Sequence, residues 1–258
     1  DLAMAGATPL AISVALIIEE GLPVEDLRIV LKSMRDAAQQ AEVKIVTGDT
    51  KVVPRGKADK LFINTSGIGV IEHDLQISGI NAQVGDKILI NGTIGDHGMA
   101  VLASREGLEL ESNITTDSAP LSSMVAELVA KLGSQLHTLR DPTRGGVATT
   151  VKEIALQSQV EITLQETALP VDQSVAGACA ILGLDPLFVA NEGKLLAFVT
   201  HEVADQALRI MQSHKHGKQA AIIGEVTAIA AGKVRLQTSI GGLRAVEMLA
   251  GEQLPRIC

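Results

Sequence analysis

Residues 81–98 read NAQVGDKILINGTIGDHG. The stretch opens polar and glycine-containing, passes through an apolar run at 88–91, and closes in a second turn. A short apolar run between turn signals is a buried strand. The polar part, 81–86, is the clearest junction in the chain, and it separates two mixed halves, 1–82 and 83–247, with a tail at 248–258. Upstream, strands are expected at 11–18, 43–46 and 61–71, although a helix also fits 11–18. Between them Pro23 opens a helix over 24–40, striped by Leu27, Val30, Leu31 and Met34. Downstream, helices are expected at 97–106, 121–132, 146–157, 172–182 and 203–213. Strands are expected at 88–91, 160–164, 187–189, 195–199, 221–229 and 233–236. Helices and strands do not alternate strictly, which predicts an α+β fold rather than a doubly wound sheet.

The bulk properties narrow the function. Of 258 residues, 46% are apolar and 20% charged, the composition of a globular protein with a real core. With no Trp, no Tyr and only 3 Phe, that core must be aliphatic. A net charge of -8, without a basic block or stacking aromatics, argues against nucleic acid. The longest apolar run, near 9–18, is too short to span a bilayer, and no signal peptide is visible. The 2 cysteines, Cys179 and Cys258, make no disulfide framework, which points to a reducing cytoplasm. Cys179 lies on an apolar helix face and reads as core. The HKH at 214–216 reads as an exposed loop.

Five motifs sit where strands end or helices begin: DLAMAG from Asp1, TGDTK at 47–51, GDHG at 95–98, DPTRGG at 141–146 and NEGK at 191–194. Each pairs glycine with an acid or amide, and singly each is also what a turn or a helix cap needs. DPTRGG is the strongest: Asp141 can cap or bind a cation, Arg144 can grip a phosphate with two donors, and Gly145 and Gly146 let backbone approach closely at a helix start. No Walker-type loop is present. The chain ends PRIC, placing Cys258 at a free terminus behind Pro255. Pro255 holds Leu254 extended, and the arm from 249 to 258 can reach roughly 30 Å when stretched.

Taken together and in order, GDTKVV, GDHG, RDPTRGG, ANEGKL and the terminal PRIC resemble the HypE family of nickel–iron hydrogenase maturation factors across the whole chain. That family is similar to aminoimidazole ribonucleotide synthetase, selenophosphate synthetase and thiamine monophosphate kinase. The resemblance implies two α/β domains, the first dimerising through its sheet, and a mobile tail. It implies ATP and Mg2+ as cofactors. It also implies that a partner carbamoyltransferase loads a carboxamide onto Cys258, that ATP drives its dehydration to a thiocyanate, and that cyanide passes to an iron-carrying scaffold complex. A homodimer is expected, with neither nucleic acid nor membrane as partner.

Residue roles follow by position. Asp1 and Asp141 are expected to serve the metal, as magnesium suits carboxylates and phosphates together. Asp49, Thr50, His97, Arg144, Gly145, Gly146 and Asn191 are expected at nucleotide and phosphate. Glu192 is the expected base and Lys51 the group that polarises or shuttles; a plain salt bridge between their loops is the alternative. Arg256 offsets the terminal carboxylate beside the Cys258 thiol. The chain departs from the family at its start: without a leading Met, DLAMAG reads as a truncated or cleaved beginning, lacking the family's Gly-rich segment, so weak ATP turnover is expected. Two rival readings are a sister enzyme such as selenophosphate synthetase, which leaves PRIC unexplained, and a truncated, non-catalytic binding fragment.

Overall fold

The computed structural model describes residues 1–106 and 114–249. Cys258, Arg256 and most of the expected tail lie outside the described residues. The chain forms two compact units, one of residues 6–73 with Leu2, the other of Asp1, residues 3–5 and everything from Asp74 onward. The division falls between His73 and Asp74, upstream of the polar stretch that marks the junction in the sequence, because 74–86 packs with the larger unit.

In the smaller unit β1 (Thr8–Glu19), α1 (Val24–Gln40), β2 (Lys44–Val53) and β3 (Leu61–Val70) form a three-stranded sheet in the order β2-β1-β3. β1 and β2 run parallel, so they need a crossover, and α1 supplies it. Pro23 precedes α1 with φ −60, pre-set for a helix start. β3 returns antiparallel to β1. The Glu19 carboxylate at the end of β1 accepts the Lys60 N–H at 3.0 Å and that of Gly56, which ties down the turn between β2 and β3. Val14 and Leu16 are buried on one face of β1, whereas Ile17 points the other way. β2 is longer than the expected 43–46 and runs through TGDTK, which is strand and not loop. Parallel pairing with β1 keeps those polar residues extended, matching Asp49 to Ala15, Thr50 to Leu16 and Lys51 to Ile17.

The larger unit contains β4 (Lys87–Ile90), α2 (Asp96–Glu106), α3 (Ser122–Leu132), β5 (Leu136–Arg140), α4 (Gly146–Ser158), β6 (Val160–Gln165), α5 (Gln173–Leu182), β7 (Leu196–Val199), α6 (Ala204–Ser213), β8 (Ala221–Ile229), β9 (Lys233–Gln237) and β10 (Leu243–Ala245). The strands make one seven-stranded sheet in the order β10-β9-β6-β8-β4-β7-β5. Every pair is antiparallel except β6 with β9. Period-two alternation decides the layers. Ile88 and Ile90 of β4 and Phe198 of β7 face Val147, Val151 and Ile154 of α4. Leu89, Ala197 and Val199 face the opposite way, toward Leu128 of α3 and Ala207 and Met211 of α6. Both faces of β4 and β7 are therefore covered, and each fully buried Ile, Leu or Phe contributes about 1.5–3 kcal/mol of transfer free energy. A smaller cluster joins Met99 of α2 to Val175, Ala178 and Cys179 of α5.

Three local expectations are corrected. Residues 187–189 are not a strand: Pro186–Phe188 is a single 3-10 turn, because the Asp185 carboxylate accepts the Leu187 N–H at 3.0 Å and Pro186 stands at its first position. β5 and β10 were not expected. The HKH segment is partly buried, with His214 paired to Glu127 at 2.8 Å. No helix among the described residues is long and apolar enough to cross a membrane.

Candidate functional site

The larger unit gathers three of the sequence motifs at the end of its sheet where β4 and β5 finish and β7 begins, and one residue joins them. Asn191 is 1% exposed. Its side-chain oxygen accepts the N–H of Gly95 in GDHG at 2.8 Å. Its amide nitrogen donates to the carbonyls of Pro142 in DPTRGG at 2.9 Å and of Val189 at 3.1 Å. With both amide hydrogens taken by backbone, Asn191 is a strut between loops. Asn91, at the end of β4, does the same one layer down. It donates to Gly193 at 3.1 Å and to His216 at 2.8 Å, and accepts the Leu195 N–H at 2.7 Å.

DPTRGG lies between β5 and α4, at the start of the expected helix and behind a strand the sequence did not announce. Gly145 and Gly146 take φ +71 and +61, and a Cβ on Gly146 would stand 2.6 Å from the carbonyl oxygens of Leu187 and Val189. The helix start can only nest against 187–189 because position 146 has no side chain. Arg140 reaches Asp141 at 3.5 Å and Glu153 at 3.7 Å across the same turn.

Glu192 follows Asn191 and is partly buried. Burial pushes its carboxyl up, and the nearby charges of Asp117 and Asp141 push the same way. Arg144 acts on it in the opposite sense, and Asp1 lies within electrostatic reach of it. Asp1, Asp141, Arg144 and Glu192 therefore share one neighbourhood. Among the described residues no group of three or more His, Cys, Asp or Glu side chains is placed to hold a metal ion. Magnesium bound together with phosphates needs only one or two protein carboxylates, so Asp1 and Asp141 fit that kind of ion and not a fully protein-held one.

Asp117, which the sequence reading did not single out, anchors the loop that carries Glu192. One carboxylate oxygen accepts the Glu192 N–H at 3.1 Å, and the other takes Lys194 Nζ at 2.8 Å. Both side chains of that pair are almost wholly buried, 5% and 9% exposed. Beside them opens a cavity of about 400 Å³ lined by Thr93, Asp96, Thr116, Asp172, Ser174 and Lys194. Thr93 donates to Asp96, whose carboxyl burial holds above its ordinary range. His97 bonds the Thr116 hydroxyl at 2.8 Å, and burial lowers its pKa. Asp117 sits in a segment without glycine motif or periodicity, TTDSAP at 115–120, and its only sequence signal was an acid just ahead of a proline.

Asp49, Thr50 and Lys51 belong to the smaller unit, on β2, and all are exposed. Strand alternation puts Asp49 and Lys51 on one face, beside Ala15 and Ile17, and Thr50 on the other. The Thr50 N–H donates to the Asp49 carboxylate at 2.8 Å. Cys179 is buried, and burial with the charge of Asp185 pushes its thiol up to about 11, so it is inert near neutral pH.

Comparison with known proteins gives a consistent result. Residues 1–71 match the N-terminal domain and residues 83–237 the C-terminal domain of AIR synthase related protein. A carbamoyl dehydratase HypE from Bradyrhizobium diazoefficiens is 52% identical over all 258 residues, which cover 75% of that protein. A crystal structure of hydrogenase maturation protein HypE in complex with ATP superposes with a TM-score of 0.96 at 50% identity, covering 100% of this chain and 78% of that one. A HypE–HypF complex gives 0.92 at 50% identity, covering 96% and 80%. The chain is therefore a member of the HypE family of carbamoyl dehydratases, built on the two-domain AIR synthase-related fold.

Proposed function

We propose that this chain is an ATP-dependent carbamoyl dehydratase of nickel–iron hydrogenase maturation, acting in the cytoplasm on a carboxamide carried by its own Cys258. The observation that carries the reading is the placement of Glu192. A partly buried carboxylate, with its pKa raised by burial and by Asp117 and Asp141, stands among the phosphate-type loops DPTRGG and GDHG in a chain whose family resemblance runs from end to end. A raised carboxyl is a stronger base than a solvated one.

In this scheme the carboxamide oxygen attacks the γ-phosphorus of ATP, the bond to ADP breaks, and one N–H proton leaves to Glu192. The resulting O-phosphorylated imidate then passes its remaining N–H proton to the departing phosphate as the C–O bond breaks, and hydrogen phosphate leaves S–C≡N behind. Arg144, His97 and the backbone at Gly145 and Gly146 are assigned to phosphate. Asn191 positions the loops. Asp1 and Asp141 would hold magnesium, which neutralises phosphate charge when it is bound with nucleotide. Arg256 offsets the terminal carboxylate. The solved HypE–HypF complex supports a protein partner in maturation; we infer that a carbamoyltransferase is that partner, an iron-carrying scaffold the acceptor and a homodimer the working form.

The test supplies ATP, a carbamoyl donor and the carbamoyltransferase, then weighs the C-terminal peptide. Gain of HNCO followed by loss of one water is expected. Glu192→Gln should accumulate the carboxamide, at least 100-fold slower in the second step. ATP consumption without a dehydrated peptide, or Glu192→Gln at wild-type rate, overturns the reading.

A further inference from the structure

Resting on the reading of Glu192 as the base, we propose that Asp117 is a positioning residue for the dehydration step, with Lys194 as its buried counter-charge. Asp117 reaches the base-bearing loop by three separate contacts, and they converge on consecutive residues. Its Oδ1 accepts the backbone N–H of Glu192 itself at 3.1 Å. Its Oδ2 accepts Lys194 Nζ at 2.8 Å. Its main-chain carbonyl lies so close to Gly193 that a Cβ there would stand 1.7 Å from the oxygen. One aspartate therefore fixes residues 192, 193 and 194 together, from a segment whose other contact with the site runs from Thr116 to His97.

The arrangement is specific to orientation. A backbone N–H bond at Glu192 fixes the φ of that residue and hence the direction in which its side chain leaves the loop. A neutral hydroxyl or amide could make the same bond, but only a carboxylate can also neutralise Lys194, which is 8% exposed and cannot turn to water. Lys194 in turn lies against Gly92, where its Cε would be 3.2 Å from an added Cβ, so its stem is packed on the strand-end turn after β4. The loop is held from its second residue to its fourth, while Asn191 holds the first.

A base displaced by about 1 Å costs on the order of 100-fold in rate. Asp117 touches no reacting atom in this scheme, so its loss should slow the chemistry and leave nucleotide affinity alone. The variant of choice is Asp117→Ala with Lys194→Met, which removes the clamp without stranding a buried charge. In single-turnover reactions of the carbamoylated protein, as it is made in the cell, the dehydration rate at saturating ATP should fall about 10- to 100-fold. The ATP concentration giving half that rate should stay within about twofold. Loading of Cys258 by the carbamoyltransferase should be unchanged. In a Glu192→Gln background the same pair of substitutions should add nothing further.

A parallel fall in loading and dehydration with a lowered Tm means a merely structural role and overturns the proposal, as does an additive loss in the Glu192→Gln background. If the double variant does not fold, Asp117→Glu is the second measurement: it keeps the ion pair but pushes the loop out by one methylene, and a wild-type dehydration rate there rejects positioning. If Glu192→Gln itself dehydrates normally, it is the assignment of the base that fails, and the two outcomes are told apart.

Discussion

Asn191 shows how much of this site is held by one side chain. Three backbone groups from three loops end on it, and it is all but sealed from solvent. Asn191→Asp keeps the acceptor for Gly95 but removes both donors and aims a charge at two carbonyl oxygens. We expect a loss of about 3–5 kcal/mol, seen as a shifted urea midpoint, because an uncompensated charge is buried. Glu192 gives a pH dependence of known sign. Its folded carboxyl is raised above 4.5 by burial first and by Asp117 and Asp141 second. Below 4.5 the group is protonated in both states and costs nothing; as pH rises through the folded pKa the ionised form is disfavoured only in the folded state, so stability is lost. Glu192→Gln should therefore gain stability relative to wild type between pH 4.5 and pH 7, measured without nucleotide, and a difference that is flat with pH contradicts this. The motifs made Asn191 and Glu192 visible in sequence because they sit beside glycine. Asp117 was not visible, because what makes it matter is a bond across 75 positions to a backbone N–H, and no local pattern encodes that.

At the scale of elements, α4 begins where it does because positions 145 and 146 both adopt left-handed φ and position 146 lies against two carbonyls. Gly146→Ala meets both penalties. The left-handed backbone alone costs about 1–2 kcal/mol for an L-residue, which corresponds to a Tm lower by roughly 2–8 °C in a chain of this size. A melt within one degree of wild type would show that the turn can relax. The same scale explains which elements the sequence disclosed. β4 and β7 alternate between two aliphatic layers, and α1 carries a regular stripe, so pattern alone placed them. β5 did not read as a strand because its polar residues face 74–86: His137 bonds Asp86 at 2.9 Å and Thr138 bonds the Ser78 carbonyl at 2.7 Å. β2 hid for a related reason, since Gly48, Asp49 and Lys51 are poor strand formers that only pairing with β1 keeps extended. At 187–189 an apolar run mimicked a strand, and the Asp185 cap with Pro186 turned it into a 3-10 turn.

At the scale of the molecule, the smaller unit exposes large apolar side chains on its sheet, among them Leu10, Ile17, Phe62, Ile63 and Ile68. Ile17 and Phe62 stand opposite each other in register and are 40% and 50% exposed. A second copy of the chain is the expected cover, and Ile17→Arg should convert a dimer to a monomer by light scattering at unchanged fold. A wild-type monomer, or a dimer that survives the substitution, rejects it. The larger unit has a different consequence, written in the order of its strands. β4 ends at residue 90, but both strands that flank it, β7 and β8, begin only at 196 and 221. During synthesis β4 must wait for both of its neighbours. At about 5–20 residues per second, roughly a hundred residues of further translation leave KILI unpaired for on the order of 5–20 s. For that interval the ribosome carries a sticky aliphatic strand with both faces bare, and a nascent chain stalled before residue 196 is where a holdase chaperone should find its grip.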